Sequence, residues 1–129
     1  MDDDFLVAAA LHVRNNAYAQ YSRFPVGAAL RSSDGQVFVG CNVENLSFGL
    51  TLCAERVAIG TAISAGCRGF TCVAIVSDSR EPVSPCGACR QVLAEFAPTL
   101  RIISQTVSGV RAEFSLTHLL PRAATGILG

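Results

Sequence analysis

Leu6, Ala10, Val13 and Ala17 recur at spacings of four and three, which predicts an amphipathic helix over residues 4–20. The pattern breaks before Pro25, and two apolar stretches, "VGAAL" and "VFVGCNV", flank the turn signal Asp34-Gly35. They read as an antiparallel hairpin of strands near 26–31 and 37–43. A loop over 44–52 leads into a second helix from about Cys53 to Ala65, with Gly66 as the residue that ends it. "FTCVAIVSD" is a short continuous apolar run, the signature of a buried strand. "CGACRQVLAEF" reads as a third helix closed by Pro98, "LRIISQT" and "GVRAEFS" as two further strands, and "LTHLL" as a short helical turn before Pro121.

The predicted order is therefore α-β-β-α-β-α-β-β. It implies a layered α/β domain over residues 1–129, with a five-stranded mixed β-sheet flanked by helices. The first strand pair is antiparallel, and the later strands, crossing over through helices, are expected to run parallel.

Composition narrows the function classes. Ten basic and ten acidic residues cancel, and no Lys/Arg run occurs, which argues against a nucleic-acid partner, since phosphate contacts supply most of such affinity. The longest uninterrupted apolar run, Phe5–Leu11, is too short to span a bilayer, and Asp2, Asp3 and Asp4 before it have the wrong sign for a secretory leader. A cytoplasmic protein is expected. Half of the residues are apolar and only 16% are charged, which hints at apolar surface in a subunit interface.

Six cysteines in such a chain point to metal or catalysis rather than disulfides. Cys86 and Cys89 lie three apart at the start of a predicted helix, where both sulfurs can reach one ion. That pair alone is equally compatible with a redox couple or half of a structural zinc site. Cys53 opens another helix and is followed by Glu55 and Arg56. Three protein ligands with one open position is the arrangement of catalytic zinc, where the ion lowers the pKa of a water and a carboxylate can carry its proton to substrate. Three thiolates overload a divalent ion with negative charge. Helix N-termini and a hydrogen-bonding Arg56 would offset it. Cys41 and Cys72 fall in predicted strands and Cys67 in a turn, where a small buried thiol is the plainer reading, and His12 and His118 lie away from the cluster.

"CAE" followed by "PCGACRQ" resembles the zinc-dependent cytidine deaminases of the small, homotetrameric class. "YSRFPVGAAL", "GCNVEN" and "HLLP" match the same family in order and spacing, so the likeness runs over most of the chain. The resemblance implies that Cys53, Cys86 and Cys89 hold Zn2+ and that Glu55 shuttles protons from water to ring N3 and on to the departing amine. It implies attack of hydroxide at C4 of cytosine, with release of ammonia from cytidine or deoxycytidine in pyrimidine salvage. The Ala54 backbone is then expected at the base, Phe24 in the base pocket, and Asn42 and Glu44 at the ribose hydroxyls. Phe48 stands where the family often has a tyrosine that reaches a neighbouring subunit's ligand, and Ala124 where a phenylalanine is common.

Two rival readings are a blasticidin S-type deaminase of the same fold and a non-catalytic structural zinc module. The first is expected to lack a sugar-binding acid at Glu44. The second needs a fourth protein ligand.

Overall fold

A computed structural model describes residues 3–123. The elements are α1 (Asp3–Arg14), β1 (Val26–Ser32), β2 (Val37–Cys41), a 3-10 turn (Phe48–Leu50), α2 (Ala54–Ser64), β3 (Phe70–Ser77), α3 (Gly87–Phe96), β4 (Arg101–Thr106), β5 (Arg111–Ser115) and α4 (Leu116–Leu119). The five strands form one sheet in the order β2-β1-β3-β4-β5.

Helix α1 is shorter than the expected 4–20. At its end Asn15, Asn16 and Ala17 donate to the carbonyls of His12, Val13 and Arg14, three residues back, so the last turn tightens and the chain leaves the helix. Two successive asparagines favour that exit because their short amides compete with the helical ladder. Tyr18 then joins Val43 in an isolated bridge.

Strand direction also departs from expectation at one edge. β3 and β4 are parallel, joined through α3, but β4 and β5 are antiparallel, because a tight turn with Gly109 at φ 105° connects them directly. β1 pairs antiparallel with both β2 and β3, so β2 and β3, linked through α2, run the same way with β1 between them.

Alternation along the central strands builds two cores. Ala28 and Leu30 of β1, Val73 and Ile75 of β3 and Ile102 of β4 face α2 and α3, where they meet Ala54, Ala58, Ala62 and Leu93. The intervening Ala29, Cys72, Ala74, Val76 and Ile103 face α1 and pack on Leu6, Val7 and Ala10. The result is three layers, with both faces of the inner strands buried.

Helix α2 lies very close to the sheet. A Cβ at Gly40 of β2 would sit 2.6 Å from the Ala54 carbonyl oxygen and closer still to the Ala58 nitrogen. The bare backbone there allows the first turn of α2 to rest on the strand. The other end of α2 closes as expected: Gly66 has φ 91°, its N–H donates to Ile63, and the Cys67 N–H donates to Ala62, the paired bonds of a Schellman ending. The start of α2 is set by Val43 and Leu52, which exchange two backbone hydrogen bonds of 2.9 Å each and close the loop before Cys53.

Candidate active site

Cys53 is the N-cap of α2 and Cys86 the N-cap of α3, with Cys89 in the first turn of α3. The crossovers bring the two helix starts together at one end of the sheet. The three sulfurs lie within 4.8 Å of one another, and Cys53 Sγ is 3.9 Å from Cys86 Sγ. Zinc–sulfur bonds of about 2.3 Å in a tetrahedron require sulfurs roughly 3.8 Å apart, so this donor set fits zinc. Cys41, Cys67 and Cys72 are outside it. Among the described residues the cluster has three members and no fourth protein ligand.

The surroundings favour negative charge on sulfur. Cys86 Sγ accepts the Cys89 N–H at 3.5 Å. Arg56 donates through Nη2 to Cys53 Sγ at 3.4 Å and to the Thr51 carbonyl at 3.2 Å. Hydrogen bonding from the Cys89 thiol, and then from Arg56, lowers the Cys53 pKa to about 5. Cys89, hydrogen-bonded to that thiolate and buried, is pushed upward.

Glu55 follows on α2 and is 6% exposed. Burial raises its pKa, and the nearby Cys53 charge raises it further. A carboxyl whose proton affinity is raised in this way, beside a cluster able to hold a metal, is suited to receive and return a proton.

A cleft of about 270 Å³ opens beside these groups. Phe24, Asn42, Glu44, Ala54 and Glu55 all line it, together with Cys53 and Cys86. The fold therefore gathers every cleft residue that the sequence singled out, from four separate segments. Asn42 and Glu44 lie just past the end of β2 and both line the cleft, and their polar atoms are partly engaged by the protein itself. Asn42 Oδ1 accepts the Val26 N–H at 2.9 Å and its Nδ2 donates to the Phe24 carbonyl at 2.9 Å. Glu44 Oε1 accepts the Tyr21 and Ser22 N–H groups, each at 3.0 Å. Phe48 is outside this cleft. Its ring meets Tyr21 edge-on at 6.3 Å, beside a neighbouring hollow, and is 73% exposed. Ala124 lies outside the described residues.

The cleft also contains residues that sequence reasoning passed over: Ser22, Val26, Thr51, Ile75, Val83 and Ser84. Arg90 was passed over too. It ties the loop before Cys86 to the end of α4, donating to Pro85 O at 2.8 Å, Leu119 O at 3.1 Å and Ser84 Oγ at 3.1 Å. The only sequence signal for it was its place directly after Cys89.

A three-layer α/β/α domain with a three-cysteine site at two helix starts, and a buried glutamate beside it, defines a zinc-site protein of deaminase type. The protein-family model for the "cytidine and deoxycytidylate deaminase zinc-binding region" matches residues 1–105, and the chain belongs to that family. Cytidine deaminase from Halalkalibacterium halodurans is 47% identical over 126 residues, covering 97% of this chain and 96% of that relative. The one from Sporosarcina psychrophila is 46% identical, with 95% and 91% covered. Among solved structures, cytidine deaminase from Burkholderia pseudomallei superposes with a TM-score of 0.91 at 47% identity, covering 95% of this chain and 98% of that one.

Proposed function

We propose that the chain, acting as one domain over residues 1–129, catalyses zinc-dependent hydrolytic deamination of cytidine and deoxycytidine. Water is consumed, the C4–N bond breaks, and uridine or deoxyuridine leaves with ammonia. The observation that carries this reading is buried Glu55 beside three converging sulfurs, on the wall of a cleft lined by Phe24, Asn42 and Glu44.

Cys53, Cys86 and Cys89 would hold the zinc. Bound there, it supplies an acidified water as nucleophile near neutral pH. Glu55 takes a proton, gives it to ring N3 and later moves one to the departing amine. Arg56 keeps the Cys53 sulfur charged. The Ala54 backbone and the Phe24 ring contact the base, and Asn42 and Glu44 face the sugar hydroxyls. The cleft carries two carboxylates, and among the described residues lining it none is basic. That lining suits a neutral nucleoside better than a nucleotide, whose phosphate would call for cations.

The enzyme serves pyrimidine salvage in the cytoplasm and works as a homotetramer. Supporting the assembly, Leu46, Phe48 and Leu50 are 76%, 73% and 66% exposed on one loop beside the site. No described helix is long and apolar enough to cross a membrane.

Ultraviolet monitoring of the purified protein with cytidine, deoxycytidine and blasticidin S, alongside metal analysis of the same sample, tests the reading. Turnover of both nucleosides with one zinc per chain is expected. Turnover of blasticidin S alone, or zinc without turnover, would overturn it.

A further inference from the structure

The Ser22 hydroxyl occupies an unusual place at the rim of the cleft. It donates to Glu44 Oε2 and accepts the Phe24 N–H at 3.0 Å. The Ser22 and Tyr21 N–H groups both point at the other carboxylate oxygen, Oε1. An ionised carboxylate offers about four acceptor positions. Oε1 is filled by two backbone donors and Oε2 has one donor from Ser22, which leaves a single acceptor position, on Oε2.

The turn that presents Ser22 is held from several sides. Arg23 takes φ 56°, a left-handed conformation uncommon for a side chain of its size, and its N–H donates to the Ala19 carbonyl at 2.8 Å. The Glu44 N–H donates to the Tyr18 carbonyl at 2.9 Å. Ser22, Glu44 and Phe24 therefore form one hydrogen-bonded unit, although 22 residues separate the serine from the glutamate.

From this geometry we infer that Ser22 is a positioning residue for sugar recognition: it orients Glu44 so that the one remaining acceptor of Oε2 meets a sugar hydroxyl. The inference rests on the functional reading above. The same hydroxyl also lowers the Glu44 pKa, with the backbone N–H groups adding to it, so the carboxylate stays an acceptor through the working pH range. Without the serine donor, Oε2 is free to turn to solvent and the acceptor loses its fixed direction.

The test compares cytidine with 2′,3′-dideoxycytidine, which keeps the base and the 5′-hydroxyl but lacks the 2′ and 3′ hydroxyls that Glu44 would accept from. Ser22→Ala is expected to raise the KM for cytidine about tenfold with kcat within about twofold, the pattern of lost binding rather than lost chemistry. On dideoxycytidine its penalty in kcat/KM should be at least about fivefold smaller, because the contact is already missing. Ser22→Thr, which keeps the hydroxyl, should restore cytidine KM. If the alanine chain fails to fold, Ser22→Cys takes its place, since a thiol keeps the size but is a weak donor. Equal penalties on the two substrates, or a threonine variant as impaired as alanine, would overturn the inference while leaving the deaminase reading standing. No turnover of cytidine by the unmodified protein would sink both.

Discussion

Arg56 Nη2 lies 3.4 Å from Cys53 Sγ and 3.2 Å from the Thr51 carbonyl oxygen, so one guanidinium nitrogen braces both the thiolate and the loop that delivers it. The residue sits one position after Glu55 on α2, and the helix turn carries it back over Cys53. Three thiolates around a dication would leave one surplus negative charge, which this contact and the two helix starts are placed to offset.

Arg56→Ala should therefore loosen the zinc without unfolding the chain. Partners of this kind are worth about 10–100-fold in metal affinity. Competition with a chromophoric chelator checks it: the variant should surrender zinc at a correspondingly lower chelator concentration. Unchanged retention and unchanged turnover would show that the helix starts suffice.

Acid stability follows from Asp3, at the start of α1. It bonds Arg101 at 2.9 Å and Arg31 at 3.4 Å, tying the helix to β4 and β1. The Arg101 hydrogen bond holds its carboxyl below the ordinary value of 3.8. A folded-state pKa that is depressed stabilises the protein above the ordinary value, and the contribution disappears as pH falls through the depressed one. Asp3→Asn should lower stability at pH 7 by under about 1 kcal/mol, since the pair is partly exposed. Thermal melts of the two chains should converge once the pH is well below 3.8.

The exposed loop makes assembly testable. Leu46→Asp with Leu50→Asp places two charges on a patch whose residues are 76% and 66% exposed in the single chain. The fold should survive, because neither side chain is in the core. Sedimentation should show the proposed tetramer in the unmodified protein and smaller species in the double variant. A double variant that still sediments as a tetramer would place the interface elsewhere.

Much of this architecture was legible because its causes are local. Cys53, Glu55, Cys86 and Cys89 announce themselves by spacing and by the helical runs behind them, and Cys53 and the Cys86/Cys89 pair do sit at two helix starts. The Gly66 ending and the Asp34-Gly35 hairpin are likewise written in short segments. What was missed depends on distance along the chain. The engagement of Glu44 with Ser22 exists only because the β1–β2 register folds residues 21–26 over the end of β2. The antiparallel β5 turns on a four-residue connection where a crossover was expected. The early exit of α1 at Arg14 reflects two asparagines whose effect outweighed the apolar spacing reaching Ala17.

Glu55→Gln isolates the proton transfer proposed for Glu55 at the three-sulfur site. The amide keeps the shape and leaves the three sulfurs in place but cannot accept the proton. Ultraviolet rate measurement with cytidine, paired with zinc analysis of the same preparation, should give full metal content and a rate lower by at least about 10²–10⁴-fold. A zinc-loaded Glu55→Gln enzyme that still turns over at the unmodified rate would contradict the account.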